Sequence, residues 1–224
     1  MTSVVIADDQ DLVRSGLEMV LGARGCDVIG LASDGREAVE VVHRTQPDVV
    51  LMDIRMPVLD GIAATRELLA AGTQSRVLML TTYDLDSYVY RALKAGASGF
   101  LLKATPPDVL VAGIEAVAKG ESLLAPSLTR RLIEEHVRRP PPLDEAPEQL
   151  RALTERELEV FEQIALGLSN VEIATRLVVT EATVKTHVNR ILSKLAMRSR
   201  VQLVVFAYET GLVRPGGSLS RRRR

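Results

Sequence analysis

The sequence is poor in the residues that build disulfide frameworks and metal–thiolate sites. Its single cysteine, Cys26, permits neither an internal disulfide nor a thiolate cluster, and its place before the apolar run VIGL reads as a packed thiol. The three histidines, His43, His136 and His187, are too scattered to make a metal site. No apolar run approaches the roughly 18 residues that a membrane helix needs. The amino terminus passes from MTS straight into VVIADD, without the basic start, apolar core and small-residue cleavage site of a secretory signal, so a cytoplasmic location is expected. What is present is a globular composition, 46% hydrophobic and 25% charged over 224 residues, long enough for one large or two ordinary domains.

A net charge of −1 conceals an asymmetry. Residues 1–125 hold 11 Lys and Arg against 17 Asp and Glu, a balance of −6, whereas residues 150–224 hold 13 against 7, a balance of +6. An acidic half suits a bound cation, and a basic half suits a polyanion such as DNA.

Short β-type runs alternate with helical patterns five times in the first half: VVIA (4–7), VIGL (28–31), VVLM (49–52), VLML (77–80) and GFLL (99–102). That alternation predicts an α/β fold in which a five-stranded parallel, doubly wound sheet is covered by helices on both faces. Between the strands, Leu12, Leu17, Val20 and Leu21 are expected on one buried stripe, as are Ala38, Val41 and Val42, and later Ile114, Val117 and Ala118. The alternation stops near Gly120. A candidate short helix then runs into Pro140, Pro141 and Pro142, which cannot continue a helix and favour an extended spacer. Beyond it, Thr154 with Glu157 and Ser169 with Glu172 are two capping-box signatures, Thr180 caps a third helix, and a fourth runs from Val201 to Glu209 and stops at Gly211. The tail RPGGSLSRRRR has no apolar period and is expected to be disordered.

Two of the strand-like runs end in carboxylates. Asp53 follows VVLM, and Asp8 with Asp9 follows VVIA, so a parallel sheet would deliver all three to its carboxyl edge, where open α/β sheets place their sites. Carboxylates crowded together repel unless a cation neutralises them, and oxygen ligands that leave room for water suit Mg²⁺, with Asp9 and Asp53 as direct ligands. Taken singly, Asp8 is an ordinary strand-end or cap residue, Thr81 a core-edge threonine and Lys103 an exposed salt-bridge lysine; as a spaced set they carry far more information.

Residues 1 to about 120 resemble a two-component receiver domain of flavodoxin-like fold. Asp8 and Asp9 resemble that family's acidic pair, Asp53 its phosphoacceptor, Pro57 and Gly61 the loop after it, Thr81 the switch hydroxyl, Phe100 the switch aromatic and Lys103 the site lysine. The resemblance implies that Asp53 attacks a phosphohistidine on a partner sensor kinase, with metal and Lys103 neutralising charge on the transferring group. It also implies that Asp8 acts on the metal through water and that the Arg55 backbone carbonyl is a ligand. A phosphoryl group on Asp53 would draw Thr81 inward and let Phe100 turn toward the interior, changing the surface around Tyr88 and Tyr90. The family often has tyrosine at the position of Phe100, which lacks the hydroxyl.

Residues 153–213 resemble the LuxR-type helix-turn-helix domain of NarL-like regulators, through Thr154, Arg156, Glu157, Glu159, Gly167, Asn170, Glu172, Ile173, Ala174, Leu177, Thr183, Val184, Lys185, His187, Ile191, Lys194, Leu195 and Arg200. Thr180 stands where serine is common there. Helical periodicity predicts a buried stripe of Val184, Val188, Ile191, Leu192 and Leu195, leaving Lys185, Thr186, Asn189 and Arg190 outward on a face suited to a major groove. Lys185, Thr186 and Asn189 are candidates for base edges, while Thr183, His187, Arg190 and Lys194 are candidates for phosphates. Ser169 and Asn170, at a helix amino terminus, can offer backbone N–H groups to a further phosphate. On the last helix, Val201, Val204, Val205 and Tyr208 form an apolar stripe that reads either as core packing or as a two-fold dimer contact. Arg221 to Arg224 read as a solvated tail, with weak phosphate contact as an alternative.

The expected organisation is a receiver domain over 1–122, a linker over 123–149 with a candidate short helix, an all-α four-helix helix-turn-helix domain over 150–213 and a disordered basic tail over 214–224. The expected function is that of a response regulator, not an enzyme, that is phosphorylated on Asp53 and controls transcription as a phosphorylation-favoured dimer, the receiver masking the recognition helix or dimer stripe until then. Three rival readings fit the residues less well. A phosphoaspartyl phosphatase would resemble D-x-D-x-T/V, but Ile54 and Arg55 follow Asp53. A ligand-sensing LuxR-type factor would need a pocket-rich amino-terminal domain. A degenerate receiver acting by contact alone conflicts with the presence of Asp8, Asp9, Asp53, Thr81 and Lys103.

Overall fold

A computed structural model of the chain describes residues 1–82, 86–120, 148–210, 212–214 and 218–219. Two compact units divide it, Met1–Leu123 and Leu124–Arg224. The proline-rich linker and Arg221 to Arg224 lie outside the described residues. Among the described residues, no helix is long and apolar enough to cross a membrane.

In the first unit, strands β1 (Ser3–Ala7), β2 (Asp27–Ala32), β3 (Val49–Asp53), β4 (Arg76–Thr81) and β5 (Gly99–Leu102) alternate with helices α1 (Asp11–Gly22), α2 (Gly35–Thr45), α3 (Gly61–Ala70), α4 (Asp86–Ala95) and α5 (Pro107–Ala118). The strands form one parallel sheet in the order β2-β1-β3-β4-β5. Apolar runs that do not alternate in polarity become strands buried on both faces, as β1 and β3 are. Because successive side chains point oppositely, Val4, Ile6, Val49, Leu51, Leu78 and Leu80 share one layer, which Leu21 of α1 and Leu110, Ile114 and Val117 of α5 complete. Val5, Val50, Met52, Val77 and Met79, by alternation, fill the other face, where α2 packs on β1 and β2 and on α3.

The expected stripe on α1 needs correction at Leu12, which is 86% exposed. Leu12 lies five residues before Leu17, so helical geometry rotates it well away from the face that Leu17 and Leu21 present. Val13, four residues before Leu17 and half-buried, takes that place.

The strand register does the positioning. Ala7 pairs with Met52, so Asp8 and Asp53 come level on neighbouring strands; Asp53 pairs with Leu80, one residue before Thr81; Thr81 pairs with Leu102, one residue before Lys103. Four side chains of three chemical kinds, from four strands, therefore reach one row at the carboxyl edge. Gly61 holds α3 against this edge: an added Cβ would collide with the Asp53 carbonyl.

In the second unit a 3₁₀ turn (Glu148–Ala152) precedes α6 (Glu155–Ala165), α7 (Asn170–Leu177), α8 (Glu181–Lys194) and α9 (Arg200–Glu209). Both sequence capping boxes form, Thr154 with Glu157 and Ser169 with Glu172, and Thr180 accepts from the Thr183 N–H at the head of α8. Phe161, Ile164, Ile173, Val184 and Ile191 are fully buried, whereas Leu192 and Leu195 of the expected stripe are only half-buried. The four helices are followed by an antiparallel ladder of β6 (Val213–Arg214) and β7 (Ser218–Leu219). The all-α frame is thus followed by a two-residue ladder, of which Arg214, Ser218 and Leu219 fall in the tail expected to be disordered. Pro215, Gly216 and Gly217, between the paired residues, are of turn-favouring type, which was the available signal.

A second correction concerns Val201, Val204, Val205 and Tyr208. All four are buried, with Tyr208 among the largest fully buried side chains, and α9 packs against α6 and α8. Side chains already enclosed in the unit's own core leave no apolar surface for a second copy, so the packing reading stands and the dimer stripe falls.

Glu157 ties the ends of two helices together. Its buried carboxylate accepts from the Thr154 N–H at 2.8 Å and from Lys194 Nζ, at the last turn of α8, at 2.6 Å. The Lys194 and Thr154 hydrogen bonds stabilise the anion and lower the Glu157 pKa from 4.5 to about 2. Because the folded pKa is depressed, the stabilisation is complete above the unfolded value of 4.5 and is lost as pH falls toward about 2. Replacing Glu157 by Gln should cost the second unit about 1–2 kcal/mol at neutral pH. The gap between urea midpoints of wild type and Glu157→Gln should close as the titration is carried down through that acidic range.

At the end of α7, Val178 has φ +54° while its N–H and that of Val179 bond back to Thr175 and Ala174 in a Schellman arrangement. A β-branched residue is strained there, and Val178 is 90% exposed, so its side chain gains little from packing. Val178→Gly should therefore stabilise the second unit by about 0.5–1 kcal/mol, read as a higher urea midpoint.

Candidate functional sites

The row at the carboxyl edge of the first sheet closes into a cavity of about 290 Å³ lined by Asp9, Gln10, Asp53, Ile54, Arg55, Thr81, Thr82, Tyr88 and Lys103. Asp8 is fully buried beneath it, Asp53 is nearly so, and Asp9 is exposed. Carboxylate oxygens of Asp8, Asp9 and Asp53 all lie within 4.8 Å of one another. Lys103 Nζ stands between two of them, 2.6 Å from Asp8 Oδ2 and 3.2 Å from Asp53 Oδ2. Asp8 Oδ1 accepts from the Gln10 N–H at 3.0 Å, which bends the chain out of β1. Burial pushes the Asp53 carboxyl above its ordinary pKa; the Lys103 ammonium opposes this and the neighbouring Asp8 charge adds to it. One ammonium thus serves two buried carboxylates and leaves the cluster short of positive charge.

Thr81 is half-buried at the rim, and Phe100 is buried at 8% exposure. Two side chains beside the site have contacts that the sequence signals weakly or not at all. Arg14, largely buried, donates to the Asp8 carbonyl at 2.6 Å and pairs with Asp11, pinning the loop that carries Asp8 and Asp9. Arg55 places its guanidinium over the Tyr88 ring, 5.2 Å from the centroid, and Arg91 stands over the same ring at 5.8 Å. The i, i+3 spacing of Asp11 and Arg14 was a weak hint to the first; nothing local pairs Arg55 with Tyr88.

In the second unit, Lys185, Thr186, Asn189 and Arg190 are all exposed on α8. Lys185 with Asn189 and Thr186 with Arg190 are i, i+4 pairs, so they stand as two adjacent columns on one helical face. Several of the candidates have partners within the unit. The Thr186 hydroxyl donates to the Ala182 carbonyl at 3.0 Å, the hydroxyls of Thr180 and Thr183 meet at 2.8 Å, and Lys194 is held by Glu157. His187 is half-buried with Nδ1 lacking a hydrogen bond among the described residues. Arg200 donates to Asn170 Oδ1 at 2.7 Å and to the Leu168 carbonyl, anchoring the amino terminus of α7; burial lowers its pKa to about 10, against the pull of Glu172. The Asn170 side chain is thereby engaged, while Ser169 serves as the cap.

The response regulator receiver domain model matches residues 4–115, and the model of bacterial regulatory proteins of the luxR family matches residues 151–207. The chain is 42% identical over 211 residues to the uncharacterized transcriptional regulatory protein YxjL of Bacillus subtilis, covering 94% of this chain and 96% of that protein. It is likewise 42% identical over 217 residues to the transcriptional regulatory protein LnrK of the same organism, covering 95% and 99%. Among solved structures, the response regulator ChrA of a heme-sensing two-component system is 36% identical with a TM-score of 0.51, over 95% of this chain and 98% of that one. A receiver-type sheet edge followed by a capped helix-turn-helix, matched in both halves and along nearly the whole chain, makes this protein a member of the LuxR-family DNA-binding response regulators of two-component systems.

Proposed function

We propose that Asp53 is the phosphoacceptor and that its phosphorylation controls transcription through α8 in the cytoplasm. The observation that carries this reading is the Asp8–Lys103–Asp53 arrangement, in which an anion-rich cavity holds a buried nucleophilic carboxylate beside a fixed ammonium. The donor is a phosphohistidine of a sensor kinase. An Asp53 carboxylate oxygen attacks phosphorus, the P–N bond breaks, and its electron pair returns to the imidazole, which takes up a proton. Lys103 neutralises charge on the transferring group from a position that needs no rearrangement. Thr81, at the cavity rim, offers a hydroxyl to the phosphoryl oxygens.

The carboxylate set suits a hard divalent cation: oxygen donors alone, clustered within 4.8 Å, and short of positive charge. Asp9 and Asp53 would hold Mg²⁺ directly, Asp8 through water, and the Arg55 carbonyl would complete the protein's share. When bound, the ion supplies further charge neutralisation at the transferring phosphoryl group.

Phosphorylation favours a dimer, and each copy presents Lys185, Thr186 and Asn189 to base edges. Thr183, His187, Arg190 and Lys194 serve the phosphates, as do the backbone N–H groups that follow Ser169 and Asn170. Among the phosphate group Arg190 is the best placed, being exposed, whereas Lys194 would have to share its ammonium with Glu157.

Incubated with Mg²⁺ and acetyl phosphate, wild type should gain one phosphoryl group by intact mass and elute earlier on size exclusion, and Asp53→Asn should do neither. Equal labelling of the two would remove Asp53 as acceptor. A second measurement addresses α8. Asn189→Ala should cost about 1–3 kcal/mol on the preferred operator and relax discrimination at one base pair. Arg190→Ala should weaken binding to all sequences alike and reduce the salt slope by about 1.

A further inference from the structure

Arg55 follows the acceptor by two residues and lines the same cavity, but its guanidinium is spent on Tyr88 of α4, a ring that Arg91 also covers. Two cations on one ring make each individually dispensable to it. The attraction of a guanidinium for a ring face is weak at an exposed position, and Arg55 is exposed. A phosphoryl group on Asp53 would set up to two negative charges and three acceptor oxygens in the cavity that Arg55 borders, and a guanidinium binds such a group through charge-assisted, bidentate hydrogen bonds. The stronger partner wins.

We propose that the Arg55 side chain is a phosphoryl-binding residue held in reserve on Tyr88: when Asp53 is modified, Arg55 leaves the ring for the phosphoryl oxygens and Tyr88 keeps Arg91. The inference rests on Asp53 being the acceptor. It gives Arg55 a side-chain role beyond the carbonyl assigned to it above, and it carries the charge change at the end of β3 to a named position on α4.

The competition makes opposite predictions for its two partners, which a merely structural role would not. The probe is fluoroberyllate, a tetrahedral phosphoryl-like anion, titrated with Mg²⁺ into the full-length protein and followed by fluorine NMR. Arg55→Ala should weaken fluoroberyllate binding about tenfold by removing a charged hydrogen-bond donor. Tyr88→Leu should tighten it about two- to fivefold, because Arg55 no longer gives up the ring. In the Arg55→Ala background Tyr88→Leu should have no effect, and Arg55→Lys should fall between wild type and Arg55→Ala. Equal affinity of wild type and Arg55→Ala, or weakening by both single substitutions, would overturn the inference while leaving the acceptor assignment intact. Failure of wild type to bind fluoroberyllate, together with no phosphoryl gain by mass, would instead bring down the acceptor assignment and this inference with it.

Discussion

One ammonium between two buried carboxylates is the constraint on which the first unit's chemistry depends. Lys103 lies close to both Asp8 and Asp53, yet a single positive charge cannot balance two negative ones, and burial already pushes Asp53 toward its neutral form. In a flexible loop such a cluster would relieve itself by moving apart. Here it cannot, because each member sits just at or beyond the last paired residue of a parallel strand, and sliding a strand would turn its apolar side chains to the wrong face. The hydrophobic register thus maintains an electrostatic imbalance, and that imbalance is what makes a cation welcome and a phosphoryl-transfer reaction locally favourable.

The second unit handles charge in the opposite way. Its frame is built by assigning charged side chains to internal partners: Glu157 takes Lys194 and the head of α6, Glu172 takes the head of α7, and Arg200 takes Asn170 and the Leu168 carbonyl. These contacts fix three helix ends relative to the core beneath α8. What remains outward on α8 is a short polar set of differing reach, Lys185, Thr186, Asn189 and Arg190, on a helix whose opposite side is closed by Val184, Val188 and Ile191. A rigid, buried backing lets so small a set be presented in a defined register to a groove.

The sequence made legible whatever depends on short spacing. Four-residue apolar runs named the five strands, the Asp, Thr or Lys that follows four of them named their chemical ends, and three-residue offsets named both capping boxes. It was less informative wherever a partner is distant. Periodicity could not tell whether Val201, Val204, Val205 and Tyr208 meet their own core or another chain, since both bury the same stripe. Nor could it show that Lys194 is claimed by Glu157, 37 residues earlier. Leu12 shows that apolar type without angular position does not place a side chain in a core. The left-handed backbone at Val58 and Val178 is illegible for a different reason, as valine gives none of the signal that glycine would give there.

Val58 bears on how the acceptor loop works. With φ +61° and the Leu59 N–H bonded back to the Pro57 carbonyl at 2.6 Å, it sits at the centre of a γ-turn of the rarer, strained hand. Such a conformation persists only where neighbours over-determine it. The Gly35 N–H donates to the Leu59 carbonyl and the Gly61 N–H to the Ile54 carbonyl, so the loop is pinned on both sides of the strain, and Gly61 could not bear a side chain without striking Asp53. Backbone adjustment beside the acceptor is therefore expensive. A change of charge at Asp53 is more cheaply accommodated by side chains that change partners than by a loop that moves, and on this loop the exposed guanidinium of Arg55, two residues from the acceptor, is placed to do so.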